Sequence, residues 1–355
     1  MPLLTRMLTS PLFIDIRAGA VAGLGEMLSD RRISSDGRVA VAVGAGQGER
    51  IVELIGASLS NADVFQVAGG SVEAALELQG KLRSRSYDAV VGIGGGRTLD
   101  VTKYAATGIA LPMVAVATNL AHDGLASPVS SLIHAGGKGS FGVATPLAVV
   151  VDLDFVREAP AQMVRAGIGD AVSNLSAVED WLLAHRERGE PVDGLAIAFA
   201  RTAAEAVLHR TDGIDSIPFL TVLAEALVLS GLAMSVAGSS RPCSGGDHEI
   251  IHAVDQLYPG TSTHGELAGV GALFTTYLRA DEAGFAQLAE TLARHSLPRT
   301  PADLDLSAAQ FARAVELAPS TRPDRYTILE HLDLMLKPDL VDKLVADFIS
   351  AVATR

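Results

Sequence analysis

Three segments of the chain carry the residue types that bind metal ions. In SRPCSGGDHEIIHAVDQL, residues 240–257, His248 and His252 stand four apart on a predicted helix and therefore share a face. In STHGELAGVGALF, residues 262–274, His264 stands near a predicted helix start. In GIGDAVSNLSAVEDW, residues 167–181, Asp170 lies where a loop is expected to enter a helix. One carboxylate and two imidazoles suit a catalytic divalent ion with a coordination position left open for substrate or water. Each residue alone also has a structural reading: Asp170 as a helix N-cap, and His252 or His264 as a satisfied interior histidine.

The string His248-Glu249-Ile250-Ile251-His252 formally matches the zinc-peptidase motif, in which both histidines bind zinc and the glutamate activates water. The histidine that a metzincin needs ten residues after His248 is replaced by Tyr258, leaving Glu266 as the formal third ligand. A peptidase would also leave the glycine-rich N-terminal half without a role.

That half offers a cofactor site. AVVGIGGGRTLDVTKYAA, residues 89–106, reads as a strand, the turn Gly94-Gly95-Gly96, and a helix starting near Thr98 with Asp100 and Lys103 in its first turns. Glycines let backbone approach a pyrophosphate, and a helix N-terminus favours negative charge. Gly44, Gly46 and Gly48 also follow a strand, but Glu49 occupies the position of the third glycine in a dinucleotide-binding fingerprint, so that cluster equally fits a plain turn.

The elements that must position these groups fall into two textures. Val39–Val43, Val64–Val67, Ala89–Ile93, Met113–Ala117 and Leu147–Val151 read as strands alternating with helices such as Arg50–Leu59 and Val72–Ser84, with a loop or hairpin over Ser127–Gly142. From Ala161 the pattern is helical: Asp170–Ala184, Gly194–Leu208, Ile217–Ala237 and Gly246–Leu257. The expected division is an α/β domain over 1–160 and an all-α domain over 161–355. Ile217–Gly238 approaches bilayer-spanning length, but Glu225 and internal Ser and Gly favour a buried helix.

With 28 Lys and Arg against 41 Asp and Glu, the formal charge of −13 opposes a nucleic-acid or anionic-membrane surface. The single cysteine, Cys243, excludes an intramolecular disulfide and a cysteine metal cluster, and reads as a packing residue. The N-terminus shows no apolar core followed by a cleavage pattern, so a cytoplasmic enzyme is expected.

Taken together, GIGGGRTLDVTKYAA, TNLAHDGLASPVSS, GIGDAVSNLSAVEDW, SRPCSGGDHEIIHAVDQLYPG and STHGELAGVGALF resemble the iron-containing alcohol dehydrogenase superfamily, and within it the sn-glycerol-1-phosphate dehydrogenases. The resemblance implies a Rossmann-like domain followed by a helical one, the dehydroquinate synthase-like fold, with the active site in the cleft between them. It makes Asp170, His248 and His264 the metal ligands and turns Asp123, Asp170 and His252 toward substrate, moving His252 out of the metal shell. Cofactor positions are Gly94, Gly95, Gly96, Arg97, Thr98, Thr118, Asn119, Leu120, Ala121 and Ser127, with Asp100 and Lys103 beside them. An aspartate at 170 separates the chain from dehydroquinate synthase, which uses glutamate there. The stretch Thr118-Asn119-Leu120-Ala121, and Cys243 in place of the usual alanine, depart from the family pattern.

The implied reaction is reversible, NAD(H)- or NADP(H)-linked reduction of dihydroxyacetone phosphate. The metal, zinc before nickel or iron, polarises the carbonyl, and His252 or water supplies the proton. The expected partner is a phosphorylated small molecule, bound by helix amides, Lys103 or Arg241, in a homo-oligomer. Rival substrates are another polyol or cyclitol phosphate, or a non-phosphorylated glycerol-type alcohol.

Overall fold

The computed structural model describes residues 10–34, 38–56, 61–135 and 137–355. The chain forms two compact units. The first contains residues up to Asn119, then Gly124–Ala159 and Met234–Ser239; the second contains Leu120–Asp123, Pro160–Ala233 and Ser240–Arg355. The main division falls between Ala159 and Pro160, and two short segments, Leu120–Asp123 and Met234–Ser239, belong to the other unit than the chain around them.

In the first unit the order is β1 (Phe13–Arg17), α1 (Leu24–Leu28), β2 (Val39–Val43), α2 (Gln47–Leu54), β3 (Asp63–Gln66), α3 (Val72–Arg83), β4 (Ala89–Gly94), α4 (Gly96–Thr107) and β5 (Met113–Ala117). A hairpin of β6 (Val129–His134) and β7 (Gly137–Gly142) follows, then β8 (Ala148–Asp152) and α5 (Leu153–Glu158). Six strands form one parallel sheet in the order β1-β8-β5-β4-β2-β3. The four inner strands read VAVAV, AVVGIG, MVAVA and AVVVD and are buried at every position, as helices on both faces require. The edge strand β3 alternates instead.

The expected helix Arg50–Leu59 begins earlier, at Gln47, and ends at Leu54; positions 57–59 lie outside the described residues. Strand β1 was not anticipated. FIDIR is short and half exposed, and only its pairing with β8 defines it.

Because the chain leaves β2 toward β3 and leaves β4 toward β5 in the opposite direction, the topology switches between β2 and β4. Ligands of open parallel sheets sit at the carboxyl ends of such strands. Both glycine clusters lie there.

The second unit is helical: α6 (Ala161–Arg188), α7 (Gly194–Leu208), α8 (Ile217–Ala237), α9 (Gly246–Leu257), α10 (His264–Leu278), α11 (Glu282–Arg294), α12 (Ala308–Thr321), α13 (Ile328–His331) and α14 (Pro338–Ala353). Among the described residues, α8 is the one helix long and apolar enough to cross a membrane, and 61% of its most apolar window is buried in the protein. Ser230 on α8 and Asn174 on α6 are joined by a buried 2.8 Å hydrogen bond. Protein packing therefore accounts for the apolar surface of α8.

Candidate metal centre and cofactor loop

Asp170 is not the helix entrance that its flanking glycines suggest. It is the tenth residue of the 28-residue α6, which starts at Ala161. Glycine inside a helix costs about 1 kcal/mol relative to alanine, so Gly167 and Gly169 read as loop residues. They serve close packing instead. A Cβ on Gly169 would stand 2.1 Å from the Gly265 carbonyl oxygen of α10, and one on Gly265 would stand 1.7 Å from the Ala166 carbonyl oxygen. Gly167 meets the Leu120 carbonyl in the same way, at 2.0 Å. Backbone touches backbone where α6 crosses α10, and this brings Asp170 to His264.

His264 is the first residue of α10. Thr263 caps the helix, and Glu266 accepts hydrogen bonds from the Thr263 amide and hydroxyl, from Ser262 and from Gln162. Helix α9 is fixed at its own first turn. The Gly246 amide donates to Asp180 Oδ2 of α6 at 2.7 Å, and a Cβ on Gly271 of α10 would meet the Asp247 carbonyl at 3.0 Å. His248 is thereby held over the α6–α10 crossing.

The three side chains converge. Asp170 Oδ1 lies 3.9 Å from His248 Nε2 and 3.7 Å from His264 Nε2, and the two rings are 5.0 Å apart. One ligand atom from each of the three lies within 4.8 Å of the others. Ligands of a tetrahedral ion at about 2.1 Å are roughly 3.4 Å apart, so a small contraction closes the site. The donor set fits a borderline divalent ion such as zinc, iron or nickel.

The surrounding groups orient these ligands. Asp170 Oδ2 accepts the Asp123 amide at 2.8 Å, which leaves Oδ1 directed at the histidines. His248 Nδ1 is 2.5 Å from Asp247 Oδ2, whose Oδ1 accepts the Gly245 amide at 3.0 Å. This carboxylate–imidazole pair selects the tautomer whose Nε2 lone pair faces Asp170. Exposure rises from 2% for the Asp170 side chain through 11% for His248 to 29% for His264, so the cluster opens on the His264 side.

His252 faces the same side of α9 one turn on, and its Nε2 lies 2.6 Å from Arg322 Nη2. Arginine has no acceptor, so Nε2 accepts and the ring proton sits on Nδ1. Glu249 is placed differently. It is 1% exposed, accepts the Thr327 hydroxyl at 3.0 Å, and burial, with Glu330 and Asp180 nearby, pushes its carboxyl well above the usual range. An enclosed carboxyl held by the Thr327 hydroxyl is not placed to activate a water as the base of a peptidase. Cys243 is buried, with its thiol donating to the Ser230 carbonyl at 3.4 Å. Burial first, then Asp123, Asp170 and Asp247, pushes the thiol up, consistent with an inert packing role.

In the first unit, α4 starts at Gly96, two residues before the position expected. A Cβ on Gly95 would stand 2.5 Å from Asn119 Nδ2, and Cβ atoms on Gly94 and Gly44 would stand 2.7 and 2.3 Å from Thr98 Oγ1. Thr98 is thus seated between two glycines, with Arg97 beside Gly70. The Thr118 amide donates to the Gly94 carbonyl at 3.0 Å, tying the loop after β5 to the loop after β4. The second glycine cluster has a packing explanation: Gly46 adopts φ 82°, Gly48 approaches the Ile93 carbonyl, and Glu49 reaches back to the Gly46 amide.

Lys103, a candidate phosphate contact, is enclosed by groups of its own unit. Its ammonium is 1% exposed, 3.1 Å from Asp100, and donates to the Gly124 and Val129 carbonyls at 2.8 and 2.5 Å. It anchors the segment holding Ser127, itself buried with its hydroxyl 3.2 Å from the Val129 carbonyl. Arg241 is likewise committed, through a bidentate pair with Glu190 at 2.7 and 2.6 Å. Arg322 was missed. It sits just past α12, far in sequence from every motif, and only the fold brings it to His252.

Comparison with known proteins gives the arrangement its context. Residues 15–160 match the family model described as iron-containing alcohol dehydrogenase. The chain is 35% identical over 325 residues to glycerol-1-phosphate dehydrogenase [NAD(P)+] of Hyperthermus butylicus, covering 90% of this chain and 92% of that protein. The chain belongs to the glycerol-1-phosphate dehydrogenase family of iron-containing alcohol dehydrogenases. The enzyme of the same name from Archaeoglobus fulgidus is 36% identical over 273 residues, 76% of this chain and 78% of that one. Among solved structures, a probable glycerol dehydrogenase from Sinorhizobium meliloti superposes with a TM-score of 0.79 at 22% identity over 99% of both chains. Glycerol dehydrogenase from Schizosaccharomyces pombe gives 0.75 at 19% identity, covering 98% of this chain and 93% of that one. At these identities the structural matches establish the family fold.

Proposed function

We propose that this protein catalyses the reversible NAD(P)H-linked reduction of dihydroxyacetone phosphate to sn-glycerol 1-phosphate at a divalent metal held by Asp170, His248 and His264. The observation that carries the reading is the convergence of one carboxylate and two imidazoles from three helices in a chain whose relatives bear this activity in their names. Zinc is the preferred ion, because nitrogen and oxygen donors around an open position suit it.

A metal held there supplies Lewis acidity toward the substrate carbonyl oxygen. The chain does the rest. Asp123 fixes Asp170 through its amide and, with Asp170 and His252, faces the substrate. His252 relays a proton from water toward the oxygen as charge develops there, one ring nitrogen taking up a proton as the other gives one up, so the ring ends neutral. Gly94, Gly95, Gly96, Arg97 and Thr98 receive the dinucleotide phosphates at the start of α4, where backbone amides point outward. Further dinucleotide contacts are assigned to Thr118, Asn119, Leu120, Ala121 and Ser127, with Asp100 and Lys103 supporting the segment that holds Ser127.

The test is metal analysis of the purified protein combined with NADH and NADPH oxidation on dihydroxyacetone phosphate and dihydroxyacetone. Stoichiometric zinc, iron or nickel and turnover favouring the phosphate ester are expected. A metal-replete protein that ignores dihydroxyacetone phosphate but oxidises or reduces another polyol phosphate would refute the substrate.

A further inference from the structure

We infer that Arg322 binds the substrate's phosphate, an assignment that deepens the function proposed above and rests on it. Two other cations expected for that task are engaged elsewhere, Lys103 with the Gly124 and Val129 carbonyls and Arg241 with Glu190. Arg322 instead reaches the metal-site face of α9. Its Nη2 is 2.6 Å from His252 Nε2, and His252 is one helical turn, about 6 Å along the axis, from His248. In dihydroxyacetone phosphate three bonds separate phosphorus from the carbonyl carbon, so a substrate whose carbonyl sits at the triad extends its phosphate a comparable distance.

The electrostatics agree. Arg322 is half-buried and its guanidinium is lowered by burial, against which Glu249 acts. Arg325, three residues on, donates to the Ser244 carbonyl and Ser240 hydroxyl, which are neutral acceptors. Burial, then Arg322 and Arg241, lower it to about 10. Arg322 and Arg325 thus bring positive charge to this face in a chain of net charge −13, Arg241 being already balanced by Glu190. Such a local positive site is relieved by an incoming dianion, and a planar guanidinium matches a phosphate in bidentate fashion. The His252 contact gives binding a second consequence: when an Arg322 N–H transfers its hydrogen bond to phosphate, the Nε2 lone pair of His252 is released beside the substrate. A substrate without phosphate does not draw that donor away.

The experiment compares kcat/KM for dihydroxyacetone phosphate and dihydroxyacetone in wild type, Arg322→Gln and Arg322→Lys, with metal content and phosphate inhibition measured on each. Loss of charge-assisted hydrogen bonds predicts that Arg322→Gln falls about a hundredfold further on the phosphate ester than on dihydroxyacetone. Arg322→Lys recovers part of the difference, bound metal is unchanged, and competitive inhibition by inorganic phosphate weakens at least tenfold. Equal losses on both substrates would make Arg322 a positioning residue for His252 and overturn the assignment, as would retained preference for the phosphate ester. If Arg322→Gln does not fold, Arg322→Lys carries the same contrast at smaller amplitude. If wild type does not turn over dihydroxyacetone phosphate, the function fails separately, and calorimetric titration of inorganic phosphate decides the site: binding lost in the variant supports it, binding kept overturns it.

Discussion

Gly265→Ala tests whether the α6–α10 backbone contact builds the metal site. The added methyl would stand 1.7 Å from the Ala166 carbonyl oxygen, whereas real Cβ contacts essentially never fall below 3.0 Å. The helices must therefore separate by about 1.3 Å at this point, the difference between those two distances. Overpacking of this kind typically costs about 1–3 kcal/mol of stability. The effect on the metal should be larger in proportion. His264 precedes the substituted residue and Asp170 lies across the crossing 3.7 Å away, so separating the helices adds to the contraction that a bound ion already requires. Loss of one ligand's contribution predicts zinc affinity weakened about a thousandfold, several kcal/mol, in a protein that remains helical. The assay is chelator-competition titration with circular dichroism and urea unfolding on the same samples. A folded Gly265→Ala protein with wild-type zinc affinity would refute the claim that close packing sets the ligand geometry.

Three further outcomes follow from the site. Asp170→Asn keeps the amide bond from Asp123 but removes the anionic ligand, and should lower both bound metal and turnover at least a hundredfold; metal analysis and steady-state kinetics check it. Asp247→Asn weakens the orientation of His248 and should reduce zinc affinity about 10–100-fold, read by chelator competition, while the fold survives. Glu249→Gln should retain activity within a few-fold. Because burial raises the folded-state pKa of Glu249, its contribution to stability is present below the unfolded value of 4.5 and is lost as pH rises through the folded value. Thermal melts at pH 5 and pH 8 should therefore show the variant gaining on wild type at the higher pH. A thousandfold loss of activity in Glu249→Gln would restore the glutamate to the chemistry.

The parallel sheet was legible because strands buried on both faces must be continuous Val, Ala and Ile runs, and four of them are. The helix carrying His248 and His252 was legible from their spacing, and the start of α10 from the residues around His264. Other features required tertiary context. Helix propensity makes GIGD look like a break, yet the glycines lie inside α6, because the crossing with α10 leaves no room for a Cβ. Propensity reports the local cost of glycine and says nothing of the packing that offsets it. Lys103 looked free to meet phosphate because its position in the first turns of a helix is visible, whereas the carbonyls it binds are 21 and 26 residues away. Arg322 carried no motif at all. Its meaning comes from 70 residues of separation closed by the fold.

The same framework explains why the three ligands hold one arrangement. Asp180 accepts the first-turn amide of α9 with one oxygen and the Ile328 amide at the start of α13 with the other, and pairs with Arg279 of the α10 end. A single buried carboxylate on α6 therefore ties together the helix bearing His248, the end of the helix bearing His264, and the segment following Arg322. Asp170 sits almost three turns earlier on the same helix. Displacing α9 would leave one buried Asp180 oxygen without its amide donor, a penalty of about 1–3 kcal/mol, so relative motion of the ligands is opposed well away from the metal. The ligand side chains can then remain short of ideal coordination distances until an ion draws them in, because the helices beneath them are fixed by bonds the ion does not touch.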